Sequence, residues 1–236
     1  MKTSLFVTIL FGMALVANPA FAQEKKEAPA TAQPAVAEPA AAQTSAMQAA
    51  PNAQPSAEEM QKMMQQMMEL SKLNENHKML GELAGTWSYT VKMWMNPDPN
   101  AKPEESKGIA VRKPMMDGRY YVLDVTGKME MPGPDGKKKE TTFKGMGLEG
   151  YDNVKKKFIG IWVDNMGTGV MMSEGDYDSA TKTMNYTGEY EAVPGMKTKI
   201  RETVKVVDKN HHVLEWYEDR GGKEAKTMEI NYTRKK

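Results

Sequence analysis

The sequence predicts an all-β domain, an antiparallel up-and-down β-barrel of about ten strands, preceded by a Met-rich amphipathic helix. From Trp87 to Met95, apolar side chains alternate with more polar neighbours, which is typical of a half-buried strand. Nine similar runs follow, separated by turn signals such as Asp117-Gly118 and Gly221-Gly222, and no long helical pattern lies among them. Strands in series close most simply into a barrel, which leaves no exposed edge; a two-sheet sandwich is the alternative.

The first 22 residues have the three parts of a secretory signal peptide. Lys2 supplies a positive charge, Leu5–Val16 the apolar core, and Ala20-Phe21-Ala22 the small-residue cleavage site. We therefore expect cleavage after Ala22 and a periplasmic or secreted protein. A membrane span needs about 20 apolar residues, so no membrane span is predicted in the mature chain; an uncleaved N-terminal anchor is the alternative.

Residues 23–55 consist mostly of Ala, Pro, Gln, Glu and Ser. They bury too little apolar surface to offset the entropy of ordering, so they are predicted to form a disordered tether. A helix is predicted over residues 56–76, because Ser56 and Glu59 have the spacing of a capping box. Methionines recur at helical spacing along one face of this helix. They are Met60, Met63, Met64, Met67 and Met68.

This Met-rich face has two functional interpretations besides that of an ordinary apolar packing surface. The helix could dock onto a protein partner. Thioethers are also suitable ligands for Cu(I), and M-x-x-M spacing brings sulfur atoms together, so copper binding is a weaker alternative. The cluster contains no His or Cys, and no metal site is predicted as its main function.

The β-barrel domain is predicted to cover residues 77–236. Its first strand begins with Gly85-Thr86-Trp87, and Arg234 lies on the last strand. The first and last strands of a closed barrel are neighbours, so Arg234 is predicted to stack on the Trp87 ring and seal one end, a structural role for both residues. The other strands are predicted at residues 108–114, 119–125, 140–151, 158–163, 170–174, 183–190, 198–207, 212–218 and 224–233.

The composition excludes several chemistries. There is no cysteine, which rules out disulfides, thiolate metal sites and a Cys nucleophile. The 32 basic and 31 acidic residues nearly cancel, so no nucleic acid is expected as a partner. The residues from Gly145 to Gly150 fit the G-x-G-x-x-G pattern of dinucleotide sites, but a strand follows in place of a helix. Glycines that relieve crowding in a barrel wall are the better interpretation.

Short motifs of the barrel domain carry a resemblance to known proteins. The G-x-W opening with a late Arg resembles the lipocalins and the wider group of calycin barrels. The full set of motifs is His77-x-x-Leu80-x-x-Leu83-x-Gly85-x-Trp87, Gly150-Tyr151-Asp152, Trp162-Val163-Asp164-Asn165-x-Gly167-Thr168 and Tyr232-x-Arg234.

Together these motifs resemble the bacterial domain-of-unknown-function family 1579 over nearly all of residues 77–236. The resemblance implies a calycin-like barrel with no established activity, so it supports the fold and leaves the function open. Some calycins bind haem; here His211, His212 and His77 would be the only imidazole ligands in the domain. Adjacent residues of a strand point to opposite faces, so His211 and His212 cannot bind one metal together, and no cofactor is predicted.

The predicted function is non-enzymatic binding of a small, partly apolar ligand, hydrophobic or amphipathic, inside the barrel. Trp162 and Asp164 share one face of a strand, and Tyr151 lies on the neighbouring strand. Arg201 and Glu215 are further candidates for a polar lumen, and these five residues form the predicted ligand site. The alternatives are an interaction protein that docks through its Met-rich helix and, less favoured, an enzyme that uses a lumen carboxylate. No catalytic residue is assigned.

Overall fold

The computed structural model describes residues 55–96, 101–133, 135 and 137–236. The predicted signal peptide (residues 1–22) and the predicted tether (residues 23–55), except for Pro55, lie outside these residues. Within the described part, the chain forms two α-helices and ten β-strands. No helix among these residues is long and apolar enough to cross a membrane.

The helices precede the strands in the chain, and a short 3₁₀ turn at Met116–Gly118 joins the second and third strands. The bounds are α1 Ala57–Leu70, α2 Glu75–Glu82, β1 Gly85–Met93, β2 Glu104–Met115, β3 Tyr120–Pro132, β4 Lys138–Asp152, β5 Lys157–Asp164, β6 Met171–Asp178, β7 Thr183–Val193, β8 Met196–Asp208, β9 His211–Asp219 and β10 Glu224–Arg234.

Helix α1 begins with the predicted capping box. The backbone N–H of Glu59 donates to Ser56 Oγ over 3.2 Å, and the backbone N–H of Ser56 donates to Glu59 Oε2 over 2.8 Å. The five methionines of its Met-rich face are 53–66% exposed. Residues 69–236 form one compact unit, and the part of α1 up to Met68 belongs to a second unit.

The prediction of one helix over residues 56–76 differs from the structure, in which α1 ends at Leu70 and a separate helix, α2, begins at Glu75. Asn74 causes the break, because its side chain accepts a hydrogen bond from the backbone N–H of Asn76 and so caps a new helix. The His77 ring completes the cap by accepting from the backbone N–H of Asn74 over 3.1 Å. The segment before β1 is therefore helical up to Glu82.

All ten strands pair antiparallel with their neighbours in the chain, and the order β1-β10-β9-β8-β7-β6-β5-β4-β3-β2 closes into a barrel. The closing pair is β1 with β10, in which Trp87 lies opposite Arg234 and Tyr89 opposite Tyr232. The predicted up-and-down barrel is therefore confirmed over the sandwich, and every strand except β1 is longer than the sequence predicts. Predicted turns lie where strands end: Gly221 and Gly222, between β9 and β10, have φ values of 68° and 85°, which only glycine adopts without strain.

One end of the barrel is covered by α2. We call this region, formed by Leu80, Leu83, Trp87 and Arg234, the sealed end. Leu80 is completely buried and Trp87 is 1% exposed, and both belong to the core cluster together with the inward side chains of the strands. The Trp87 indole donates to the carbonyl of Leu83 over 2.9 Å.

The Arg234 guanidinium lies over the Trp87 ring, 4.1 Å from its centroid, which is the contact that the sequence predicts. It also donates to the carbonyls of Ala84, Glu82 and Lys209 over 2.6–2.8 Å. Two of these acceptors terminate α2, so Arg234 joins the last strand to the helix that covers the barrel. The sealed end is thus built from residues near both ends of the barrel domain.

Candidate functional site

The interior of the barrel contains a cavity of about 600 Å³. It extends from Leu83 at the sealed end to Trp94 and the segment after β5 at the opposite end, which we call the mouth. Most of its walls are aliphatic or aromatic. Several methionines also line it: Met93, Met95, Met129, Met166, Met171, Met184 and Met228.

Two of the five predicted ligand-site residues, Trp162 and Asp164, border the cavity. The Trp162 indole donates to Asp164 Oδ2 over 2.9 Å, and the backbone N–H of Met166 donates to Asp164 Oδ1 over 2.8 Å. Both oxygens of Asp164 are thus used to orient the Trp162 ring and the chain that follows β5. Asp164 is a positioning residue of the wall.

The glycines of the G-x-G-x-x-G pattern lie in β4, and two of them, Gly145 and Gly147, lie against Trp162. A Cβ atom at Gly145 would lie 2.3 Å from Cζ2 of the Trp162 ring, far inside van der Waals contact. The pattern therefore makes room for an indole in the barrel wall. The structure supports the interpretation of these glycines as relief of crowding, and the residues after them continue in β4 and β5.

Tyr151 lies towards the sealed end and does not border the cavity. Its ring contacts His77 with centroids 5.8 Å apart and Phe158 with centroids 4.9 Å apart, both edge to face. These contacts join α2 to the strands of the barrel. Tyr151 is part of the packing under the helix, and we correct its predicted role accordingly.

Arg201 and Glu215 lie on the outer face of the barrel, so the prediction that they line the lumen needs correction. The Arg201 guanidinium makes two hydrogen bonds to Glu224, of 2.9 and 2.7 Å, and lies over the Tyr217 ring. Glu215 accepts from Lys226 over 3.0 Å and from the Tyr217 hydroxyl over 2.9 Å. The physical reason is the alternation of the strand: Glu202, one residue further along β8, is the side chain that borders the cavity.

Three charged residues outside the five predicted ligand-site residues, Arg112, Glu149 and Glu202, form what we call the inner polar cluster. All three border the cavity. Arg112 is only 6% exposed, and its Nη2 donates to Glu149 Oε1 over 2.7 Å. Among the described residues, the buried atoms Nε and Nη1 of Arg112 and Oε2 of Glu149 have no hydrogen-bond partner. Unpaired polar atoms are costly in a protein interior, so this cluster is destabilising by itself.

Glu202 is the third member of the cluster, and no described residue forms a hydrogen bond with its carboxylate. Burial raises the pKa of Glu202 to about 7, the negative charge of Glu149 adds to this rise, and the positive charge of Arg112 opposes it. Tyr186 faces it from β7, and burial raises the pKa of that phenol well above its usual value. Perturbed carboxyl groups of this kind in a cavity are typical of functional sites.

His212 borders the cavity between the inner polar cluster and the sealed end. Its ring stacks on Tyr232 and meets the Trp87 ring edge-on, with both centroid distances at 4.3 Å. Burial lowers the pKa of His212 to about 3, with smaller contributions from the positive charges of Arg112 and Arg234. His212 is therefore neutral near pH 7.

The other two histidines are occupied elsewhere. His211 lies on the outer face beside Asp208, and His77 caps α2. Of the three, only His212 borders the cavity. Within the residues that the structure describes, no three His, Cys, Asp or Glu side chains are grouped so that they could hold a metal ion. Haem and Cu(I) binding stay the weaker alternatives that the sequence analysis gives.

A second buried carboxylate, Glu218, borders the cavity nearer the mouth. It is 2% exposed and accepts from the Tyr190 hydroxyl over 3.1 Å and from the Trp216 indole over 3.2 Å. Arg220 lies 3.7 Å from its other oxygen. Burial raises the pKa of Glu218, and these donors oppose the rise. Unlike Glu202, this carboxylate is fully supported by its neighbours.

Comparison with protein families gives a match over most of the described chain. The model of a family described as "Protein of unknown function (DUF1579)" matches residues 72–234, which include α2, all ten strands and the Trp87–Arg234 contact. Helix α1 ends at Leu70 and lies before the matched region. Among curated proteins, none matches the chain.

Proposed function

Because the chain belongs to the DUF1579 family of proteins of unknown function, its role has to be inferred from the site, and we propose that the barrel is a non-enzymatic protein that binds a small, partly apolar ligand in its lumen. The observation that carries this proposal is the cavity of about 600 Å³ inside the closed barrel. Binding sites for small molecules typically have volumes of roughly 300–1,000 Å³, apolar walls and a few polar groups that orient the ligand. The lumen has the same combination.

The lining supports a ligand with an apolar portion of variable shape. Met93, Met129, Met171 and Met228 border the lumen with unbranched, polarisable side chains. Such side chains change rotamer at little cost and pack against ligands of different outline. The aromatic rings of Trp162 and Trp216 add rigid apolar surface.

The supporting contacts of the lumen carboxylates favour binding over catalysis. Asp164 orients Trp162, Glu149 pairs with Arg112, and Glu218 is supported by its own donors. A general acid or base needs a carboxyl group that is free to exchange a proton with the substrate. Glu191 accepts from the backbone N–H of Gly195, so among the described carboxylates of the lumen only Glu202 is of this kind, and it is better used to recognise the polar part of a ligand.

A neutral apolar dye, N-phenyl-1-naphthylamine, tests the proposal. We expect its fluorescence to rise and saturate at one dye per chain, because the dye leaves water for the lumen. Met171→Asp introduces a carboxylate into the cavity wall and should weaken binding roughly tenfold. Met172→Asp is the matched control, since Met172 is on the outer face of the same strand and 65% exposed. Equal affinities of the two variants would contradict binding in the lumen.

Export to the periplasm or the medium is part of the proposal, and the composition of residues 1–22 supports it. Mass spectrometry of the protein recovered from its host should find a chain that begins at Gln23. Ala20→Asp removes a small residue from the cleavage site and should leave the precursor uncut. A processed wild-type chain with a different first residue would show that cleavage occurs at another position. A chain that still begins at Met1 would overturn the proposal of export.

Helix α1 gives a second candidate function, docking onto a protein partner, because its five methionines are each more than half exposed. A photo-crosslinking amino acid at Met64 should give a discrete covalent adduct in the host cell. The same group at Lys62, which lies on the other side of the helix, is the control. Adducts of equal yield at both positions would point to random collisions and contradict docking.

A further inference from the structure

We propose that the lumen selects ligands with a positively charged head group, amphipathic amines, and that the ammonium group pairs with the Glu202 carboxylate. This inference rests on the proposed function and specifies the class of ligand. Three features of the inner polar cluster and its surroundings carry it: the balance of charge, the access to Glu202, and the aromatic rings beside it.

The first feature is the balance of charge. Arg112 is the single cation of the inner polar cluster, and it already pairs with Glu149 over 2.7 Å. Glu202 is thus left without a counter-charge of its own, and the cluster has a net charge of −1 when all three groups are ionised. A buried charge is strongly unfavourable unless an opposite charge accompanies it. An ammonium group of a ligand would supply that charge.

The wider cavity has the same bias. Five carboxylates and three cations border it, and one of the cations, Arg220, lies beside Glu218. An anionic head group would therefore enter a cavity in which negative charges outnumber positive ones. The carboxylates are Glu149, Asp164, Glu191, Glu202 and Glu218, and the cations are Arg112, Lys128 and Arg220.

The second feature is access. Glu202 borders the cavity and no described residue forms a hydrogen bond with it, so both of its oxygens can accept from a ligand. The unpaired Nε and Nη1 atoms of Arg112, by contrast, are buried below the cavity surface. A carboxylate ligand would have to displace neighbouring side chains to reach them, and it would then lie between Glu149 and Glu202.

The third feature is aromatic. Tyr186 on β7 and Trp216 on β9 lie directly opposite Glu202 in the strand register, and both border the cavity. Side chains directly opposite on neighbouring strands have Cβ atoms about 4.5–5.5 Å apart. An ammonium group at Glu202 would therefore lie beside two aromatic rings. Cations are attracted to the faces of Trp and Tyr rings, most strongly where water is excluded.

The titratable groups around Glu202 decide how the selectivity should depend on pH. Arg112 and Glu149 are the charged ones, and the lowered pKa of His212 and the raised pKa of Tyr186 and of Tyr232 keep those three side chains neutral. Glu202 itself has a pKa of about 7, so its charged fraction grows between pH 5.5 and pH 8. The affinity for an amine should rise over this interval.

Calorimetric titration of the purified protein with three ten-carbon probes tests the inference: decylamine, decanol and decanoate. At pH 8 we expect decylamine to bind about tenfold more tightly than decanol, and decanoate to bind most weakly. Glu202→Gln should abolish the advantage of decylamine over decanol, so that the two probes bind with similar affinity. The matched control is Glu215→Gln, since Glu215 is on the outer face of the neighbouring strand, and it should behave as the wild type.

The pH series on the wild type is an independent measurement that needs no variant. From pH 5.5 to pH 8, the affinity for decylamine should rise by on the order of tenfold, and that for decanol should stay constant. Equal affinities for the three probes would overturn the charge selectivity but leave lumen binding intact. Decanoate as the tightest ligand would also overturn it, since Arg112 would then be the recognition group. If none of the probes binds, the proposed function fails as well.

Discussion

At the sealed end of the barrel, the polar side-chain atoms of Trp87 and Arg234 have hydrogen-bond partners. Arg234 donates to three backbone carbonyls while it covers the Trp87 ring, and the Trp87 indole has its own acceptor at Leu83. In the inner polar cluster, Arg112 and Glu149 share one hydrogen bond and keep three buried atoms unpaired, and Glu202 has no hydrogen bond from a described residue. Both regions contain charged groups. Only at the sealed end does the protein itself supply the hydrogen-bond partners of these groups.

This difference indicates which of the two regions stabilises the fold. A satisfied arrangement of hydrogen bonds and stacked rings stabilises the native state, so its residues should be sensitive to substitution. An unsatisfied cluster lowers the free energy of unfolding, and proteins retain such clusters mainly where function requires them. Substitutions at the two regions should therefore have opposite signs.

Trp87→Ala should have the largest effect. Trp87 fills the sealed end and is 1% exposed, so its removal leaves a cavity and uncovers Arg234. We expect a loss of about 3–5 kcal/mol in the free energy of unfolding, measured by urea denaturation. Trp162→Ala is the control, because that ring already borders a cavity, and it should cost about half as much. Equal losses would contradict a special role for the sealed end.

Arg234→Lys tests whether the shape of the guanidinium matters. Lysine keeps the charge but loses the planar contact with Trp87 and the simultaneous bonds to Ala84, Glu82 and Lys209. A loss of about 2–3 kcal/mol is expected in the same denaturation experiment. Arg201→Lys, at the exposed pair with Glu224, should change stability by less than about 1 kcal/mol. A comparable loss for Arg201→Lys would mean that the backbone hydrogen bonds of Arg234 do not explain its larger contribution to the free energy of unfolding.

The barrel and its seal could be predicted because both depend on local patterns. Alternation and turn residues mark each strand, and closure then brings the first and last strands together, which makes Trp87 and Arg234 neighbours. The break between α1 and α2 was missed because the apolar spacing of the methionines hides the separate cap at Asn74. The cap is also atypical, because the residue that completes it is His77 in place of the Glu or Gln of a capping box.

The inner polar cluster was only partly predictable. On β8, the apolar residues Ile200 and Val204 lie on the face of Glu202, so the alternation does point to Glu202 rather than Arg201. On β2 the alternation predicts the wrong face for Arg112. The apolar residue Val111 faces outward, and the charged residue Arg112 faces inward. Gly108, on the inward face of β2, leaves room for Tyr89, since a Cβ there would lie 2.3 Å from the Tyr89 hydroxyl oxygen. The inward position of Gly108 depends on the space that Tyr89 of another strand needs, so it cannot be recognised from the sequence of β2 alone.

His212→Phe tests the boundary between the two regions through its effect on acid stability. The pKa of His212 is about 3 in the folded protein and about 6.5 in the unfolded chain, so only the unfolded chain gains a proton between these values. Stability contributed by the neutral ring is present above pH 6.5 and is lost as the pH falls towards 3. From pH 7 to pH 5, the wild type should lose about 2 kcal/mol more than the variant.

The measurement is urea denaturation of both proteins at pH 7 and pH 5. Phenylalanine keeps the stacking on Tyr232 and the edge contact with Trp87, so the variant should fold. His211→Phe is the control, because His211 is on the outer face. If the wild type and His212→Phe lose the same free energy on acidification, the His212 ring is not held neutral by its surroundings.

Glu202→Gln should have the smallest effect and the opposite sign. The pKa of Glu202 is raised to about 7 in the folded protein, above its ordinary value of 4.5, so the fold is most stable when this carboxyl is protonated. That stability is fully present below pH 4.5 and is lost as the pH rises through 7. At pH 8 we expect the variant to be more stable than the wild type by about 1–2 kcal/mol, less than the full linkage value because the carboxylate faces a cavity.

At pH 5 the two proteins should unfold at nearly the same urea concentration, since Glu202 is then mostly protonated and resembles the amide. The gap should open between pH 5 and pH 8. Glu215→Gln on the outer face should show no such gap, because Lys226 and Tyr217 already support that carboxylate. A variant less stable than the wild type at pH 8 would mean that the ionised Glu202 is satisfied by the protein. The inner polar cluster would then not differ from the sealed end in this respect. There would also be no reason to expect a cationic ligand at Glu202.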